Sequence, residues 1–201
     1  MEEFTLSSKS EGKYNEKGSI FSALAIPVSD VAEVRTNLHQ LKKQFPDASH
    51  ICYGYRIKEM GRLDEFATDA GEPKGSSGLP ILNVLKRNQI VDAVIFIVRY
   101  FGGSKLGISG LINAYGTAAG QTIENAKVIK WVLLERILFI CNYDMQNKVN
   151  SILKKFKVNV IKSDFGESIQ IELEIEVEKT EELSKELKEA SNGTIRVIQA
   201  S

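Results

Sequence analysis

Two hydrophobic periods alternate along this chain, and each change of period marks an element. Ser19 to Val28 reads as a strand, closed by Pro27 and the turn-prone Ser29-Asp30. Val31, Val34, Leu38, Leu41 and Phe45 then share one face at helical spacing. Asp30 is placed to accept from the free N–H groups of that first turn, Glu33 stands at the capping-box position, and Pro46 stops the helix. His50 to Ile57 is rich in aromatic and β-branched residues and predicts a strand, with a turn over Gly61 to Asp64. Leu79, Leu82 and Leu85 predict a short helix. Ile90 to Tyr100 is almost continuously apolar, which predicts a strand buried on both faces. A helix to about Ala126 follows, with Leu111, Ala114, Tyr115, Ala118, Thr122 and Ile123 on one side.

A second complete pattern begins beyond Lys127 to Lys130. Trp131 to Cys141 predicts a strand, and Asn142 caps a helix carrying Met145, Val149, Ile152 and Phe156. Val158 to Lys162 is a strand and Asp164-Phe165-Gly166 a turn. Ser168 to Glu178 alternates, with Ile169, Leu173 and Val177 inward and Glu172, Glu174, Glu176 and Glu178 outward. Thr180 caps a helix with Leu183, Leu187 and Ala190, which Asn192-Gly193 ends before a last strand, Thr194 to Gln199. The order β-α-β-β-α-β is the ferredoxin-like arrangement, with two helices on one sheet face and a polar face opposite. The expected division is therefore into residues 1–128 and 129–201. Residues 1–18, rich in Ser, Glu, Lys and Gly, are expected as a loose arm.

Composition narrows the function classes. The chain has 201 residues, with 26 Lys plus Arg against 26 Asp plus Glu, 43% hydrophobic and 26% charged. That suits an α/β protein with a packed core and argues against disorder. A globally basic nucleic-acid binder is excluded, so only a local patch could hold phosphate. Cys52 and Cys141 form neither a disulfide framework nor a zinc motif, and read as small hydrophobes in a reducing compartment. No leader pattern opens the chain, and no apolar run approaches the ~20 residues a membrane span needs. A cytoplasmic protein is the expectation.

Three constellations carry candidate chemistry. In the first, Asp69, Gly71, Glu72, Pro73, Lys74, Gly75 and Gly78 crowd one loop. Two carboxylates there suit a metal or a proton shuttle, but with no His close by and Gly and Pro dominating, the spacing favours the capping of local N–H groups. In the second, the buried strand delivers Arg99, Tyr100, Gly102, Gly103, Lys105, Gly107 and Gly110 to a helix N-terminus, where free N–H groups and the helix dipole favour an anion. The spacing is neither a Walker A loop nor GxGxxG. In the third, Lys148, Lys154, Lys155, Lys157 and Lys162 form a basic edge ahead of an acid-rich stretch. It is readable as an RNA-facing surface or as a solvated helix face. His39, His50 and Cys52 supply too few ligands for a metal site and no nucleophile system.

The stretch Asp69-Ala70-Gly71-Glu72-Pro73-Lys74-Gly75-Ser76-Ser77-Gly78-Leu79-Pro80, then Val98-Arg99-Tyr100-Phe101-Gly102-Gly103, Leu106-Gly107, Gly110-Leu111 and Ala114-Tyr115, resembles the YigZ/IMPACT family over about residues 18–126. The second half is similar to the C-terminal domain of many bacterial members. The resemblance implies a two-layer α/β sandwich like the fourth domain of elongation factor G, then a ferredoxin-like domain similar to its fifth. Eukaryotic relatives regulate translation through a further N-terminal domain, and that mechanism is not carried over. The chain departs from the family pattern at Ala70, where a second acid is usual, and at Lys105, where an aliphatic residue is usual. It also departs at Ile20, Ser76-Ser77 and Ser109.

Two functions follow as expectations. The first is a translation-linked, non-enzymatic binder of RNA or the ribosome, with phosphate at Arg99, Lys105 and the glycine N–H groups. It needs no cofactor, metal or membrane and shows no DNA-specific signal. The alternative is an enzyme acting on a small phosphorylated or anionic substrate in a cleft between the two Gly-rich loops. Arg99 has a structural role open to it as well, neutralising Asp69 or Glu72.

Overall fold

In the computed structural model, which describes residues 2–59 and 62–199, the chain divides between Trp131 and Val132 into two compact units. The first contains β1 (Phe4–Leu6), β2 (Ser10–Glu16), β3 (Ser19–Pro27), α1 (Val31–Gln44), β4 (His50–Glu59) and β5 (Arg62–Thr68). It continues with α2 (Gly78–Arg87), β6 (Ala93–Tyr100), α3 (Gly107–Glu124) and β7 (Val128–Lys130). Five strands form one antiparallel sheet in the order β2-β3-β6-β4-β5.

Central β6 organises this unit. Ala93 to Val98 are buried, because strands flank β6 and helices cover both its faces. The two-residue period of the pleat sends Ala93, Ile95 and Ile97 toward α2 and α3, where Ile81, Leu85, Leu111, Ala114, Tyr115 and Ala118 meet them. Val94 and Phe96 point the other way, into a smaller core with Val34 and Leu41 of α1. The sandwich is thus the sheet with α2 and α3, and α1 closes the reverse face of β3, β4 and β6. At the start of α1 the expected cap is made: Asp30 Oδ1 accepts from the Glu33 N–H at 2.8 Å, and Glu33 Oε2 accepts from the Ser29 N–H at 2.9 Å.

The first eighteen residues are not a loose arm. β2 forms one edge of the main sheet, and β1 pairs with β7, Thr5 opposite Ile129. Leu6 is 3% exposed within the α2/α3 core. Polar composition misled here, because β2 is an edge strand with alternate residues exposed. Nor does a strand begin at Trp131. Its indole N–H donates to Asp92 Oδ2 and Lys58 lies over its ring, which ties it to the first unit. Arg62 to Asp64 belong to β5 and are not a turn; Gly61 lies outside the described residues.

The second unit runs β8 (Leu134–Cys141), a 3-10 turn (Tyr143–Met145), α4 (Gln146–Phe156), β9 (Asn159–Phe165), β10 (Ile169–Glu176), α5 (Val177–Ala190) and β11 (Ile198–Gln199). The sheet order β11-β8-β10-β9, antiparallel throughout, is the ferredoxin-like topology. Ile137, Phe139, Leu173 and Ile175 face Val149, Ile152, Leu183 and Leu187 of the helices. The opposite face is mixed rather than polar. Pleat parity that buries Ile137 and Phe139 turns Leu134 and Ile140 outward, 49% and 51% exposed, opposite Glu176 and Gln170. Two boundaries also move. β9 runs on through Phe165, and α5 starts at Val177, so Thr180 lies inside the helix and its hydroxyl donates to the Glu176 carbonyl instead of capping.

The buried position of Leu6 gives a direct test of the N-terminal segment. Leu6→Ala should cost about 2–4 kcal/mol in urea unfolding, as for other leucines removed from a core. A loose arm would leave the unfolding midpoint unchanged.

Candidate functional site

The two Gly-rich loops meet at the C-terminal end of β6, but their acids do different work. Asp69 ends the chain leaving β5 and turns back over the start of α2. Its Oδ1 accepts from the N–H groups of Ser77 (3.0 Å) and Gly78 (2.8 Å) and from the Ser77 hydroxyl (2.8 Å), and Oδ2 accepts from the Gly75 N–H (2.7 Å). Ser77 occupies the N-cap position of α2 without using its own side chain there. The cap comes from Asp69, eight residues upstream, which gathers N–H groups that the helix leaves free. Burial by itself would raise the Asp69 pKa, and the N–H and hydroxyl donors reverse this and hold it below the ordinary carboxylate range. Gly78 is required by space, since a Cβ there would stand 2.7 Å from the Thr68 nitrogen.

Glu72 forms a second centre. Its Oε1 accepts from Arg99 Nη1 at 2.5 Å and from the Tyr115 hydroxyl at 2.8 Å, and His50 Nε2 lies 4.0 Å away. Both members of the ion pair are buried, their side chains 7% and 3% exposed for Arg99 and Glu72. His50 donates from Nδ1 to the Ala70 carbonyl at 2.9 Å, which fixes the ring. The Arg99 guanidinium lies over Phe21 and Phe101, 5.3 and 5.7 Å from their centroids, and its Nη2 is 3.5 Å from Ser19 Oγ. Its Nε is buried without a hydrogen-bond partner. Beside this group Cys52 Sγ donates to the Asp69 carbonyl at 3.0 Å. Burial pushes the Cys52 thiol up to about 11, so it is a thiol and not a nucleophilic thiolate at neutral pH. Burial likewise raises Tyr115, which keeps its hydroxyl a donor to Glu72.

The structure therefore separates the residues grouped by sequence. Glu72, Pro73, Arg99, Phe101, Lys105, Leu106, Gly107 and Ile108 line one cleft of about 250 Å³ at the N-terminus of α3. Asp69 does not line it. Tyr100 does not either, because the pleat points it to the opposite face from Arg99. Gly102 is a packing glycine: a Cβ there would fall 1.9 Å from the Gly18 carbonyl carbon, and its N–H already donates to Ser19 Oγ. Gly103 and Gly107 have positive φ with open space around them, and Gly110 sits in the first turn of α3. No side chain caps α3 and no acid stands in its first turn. Lys105 is exposed there with no partner among the described residues.

Sequence reasoning missed Tyr115, His50 and Ser19 as partners of this centre. One signal was present for Tyr115: a tyrosine within an apolar helix face needs a partner for its hydroxyl. The basic edge of the second unit is neutralised in part. Lys155 pairs with Glu186, Lys162 with Asp164, and Lys148 donates to the Ala190 carbonyl, which leaves Lys154 and Lys157. Among the described residues no three His, Cys, Asp or Glu side chains gather as a metal site would require, and no helix is long and apolar enough to cross a membrane.

Residues 17–123 match the Impact N-terminal domain, and residues 139–194 match a domain of unknown function, DUF1949. The chain belongs to the IMPACT family. IMPACT family member YvyE of Bacillus subtilis is 30% identical over 94% of this chain and 87% of its own length. IMPACT family member YigZ of Escherichia coli is 24% identical, with 90% of each chain covered. A crystal structure described as that of a hypothetical protein superposes with a TM-score of 0.69 at 22% identity, over 100% of this chain and 98% of the other, a likeness of fold. Ala70 stands at φ 45°, a conformation an Asp tolerates better than an Ala.

Two outcomes test this division of labour. Arg99→Met or Glu72→Leu alone strands a buried charge and should cost about 3–5 kcal/mol, whereas the double variant recovers most of it. Additive losses in urea unfolding would mean the two side chains act independently. For Asp69 the folded pKa is depressed, so its contribution is complete above the ordinary carboxylate pKa and is lost as pH falls through the folded value. The stability gap between the native chain and Asp69→Asn should therefore narrow as pH is lowered from about 7 toward about 2. Parallel curves would remove the charge from the account.

Proposed function

We propose that this chain acts in the cytoplasm as a translation-linked, non-enzymatic binder of RNA or the ribosome, taking a backbone phosphate at the N-terminus of α3. The observation that carries the reading is the cleft itself. The uncapped helix end offers N–H groups and a positive dipole, Lys105 adds an unpaired charge beside it, and Phe101, 50% exposed, offers a ring for a base to stack on. Arg99 has a different part. Buried against Glu72, it positions Phe101 and the loop and is not free to meet phosphate. Two unpaired, buried cysteines accord with a reducing compartment.

The alternative, an enzyme for a small anionic substrate, is favoured by one observation: Glu72 lines the same cleft as Lys105. Size weighs against it. About 250 Å³ is below the ~300–1,000 Å³ of ordinary small-molecule pockets, and Asp69 is committed to α2.

Co-sedimentation with ribosomes and with total RNA at low and moderate salt distinguishes the two. Binding should weaken with salt, and Lys105→Ala should lower the log–log salt slope by about 1. Phe101→Ala should weaken binding further without changing that slope. Arg99 is left intact, since its removal disturbs folding. If nothing sediments at either salt, the cleft passes to a small anion, and a thermal-shift series of phosphorylated metabolites identifies which.

A further inference from the structure

The sheet of the second unit ends on β9, and all seven of its residues are exposed. One side of β9 is bonded to β10, and the other has no strand beside it among the described residues. An open edge of this length presents unpaired backbone N–H and C=O groups to any extended chain. Here it is also apolar, with Val160, Ile161 and Phe165 exposed by 44%, 41% and 62%. The edge lysine that would discourage pairing, Lys162, is neutralised by Asp164 at 2.6 Å.

We propose that β9 joins a second copy of this chain, strand to antiparallel strand, about a two-fold axis at Ser163. The sequence of the edge is complementary to itself in that register. Lys162 comes opposite Asp164 of the other copy, and by symmetry this happens twice. Ile161, the extra residue where the β9–β10 register shifts, comes opposite Phe165, again twice. Each pair gains a directly opposed partner, the arrangement that stabilises strand pairing. Neighbouring registers lack this match. Moving the axis to 162 or 164 sets Lys162 against Lys162 or Asp164 against Asp164. Moving it half a residue sets Asp164 against Ile161 or Lys162 against Phe165. The two four-stranded sheets become one of eight, and the interface is isologous, as a closed dimer requires.

Cross-linking tests the axis directly. Cys52 and Cys141 are buried, so an introduced thiol is the accessible one. Under mild oxidation Ser163→Cys should give a covalent dimer. Lys162→Cys and Asp164→Cys should each give no covalent dimer alone and cross-link when mixed. Sedimentation over a concentration series should show the mass of two chains for the native protein. Lys162→Asp should raise the dissociation constant by at least about tenfold, because two ion pairs become like-charge contacts. Adding Asp164→Lys to it should restore the dimer. Phe165→Glu lies outside the core and should be a folded monomer by circular dichroism. A native protein of single-chain mass at every concentration overturns the proposal. So does a dimer indifferent to Lys162→Asp and Phe165→Glu, or equal cross-linking from positions 162, 163 and 164.

Discussion

Neither Arg99 nor Glu72 could occupy its place without the other. Taking one charge out of water costs several kcal/mol, and only a bonded counter-charge offsets it. The pair forms at 2.5 Å between the end of the central strand and a loop that has no secondary structure of its own. Tyr115 brings α3 into the same bond, and Phe21 brings β3 under the guanidinium. Strand, loop and helix are thus held at one point. The position of the cleft at the end of α3 follows from that point, since Arg99 and Glu72 form part of its wall.

The loop before α2 solves a related problem with a different acid. A helix beginning in the sequence Ser76-Ser77-Gly78 has good capping residues nearby, yet the cap is taken from Asp69. This folds residues 69–78 around one carboxylate and leaves Glu72 to project the other way. Two acids three residues apart look like a catalytic pair in sequence. In space one is satisfied by backbone N–H groups and the other by Arg99, so the resemblance to a dyad comes from spacing alone. The thiol of Cys52 fills the gap between the two centres and is held un-ionised by burial.

Much of the fold was legible because period and caps agreed. α1 carried a cap, a five-residue apolar face and a stop, and it formed where they placed it. β6 read as buried on both faces because six consecutive residues were apolar, and each of them is buried. The ferredoxin-like order followed from six elements in sequence. Elements whose partners lie far along the chain were harder to read. β1 and β2 look polar and short, and their strand character depends on β7 and β3 supplying the other side of the ladder. Trp131 looks like the start of a strand until Asp92, 39 residues earlier, is seen to hold it. The site was legible as a pair of loops but not as a division of roles, because hydrogen-bond partners such as Tyr115 and Ser19 carry no spacing signal.

That division has a consequence for reading the glycine-rich motif. Its most recognisable residues are engaged internally: Arg99 Nη1 by Glu72, the Gly102 N–H by Ser19, Asp69 by the α2 N-terminus. Groups so engaged hold the surface around the cleft in place. What they leave facing outward is the uncapped α3 terminus, Lys105 and Phe101. Lys105 adds a positive charge where the helix dipole is already positive. Like charges so placed repel each other, and no acid of the first turn offsets them. The framework of the cleft is therefore set by buried, internally bonded groups, and its charge by an exposed one.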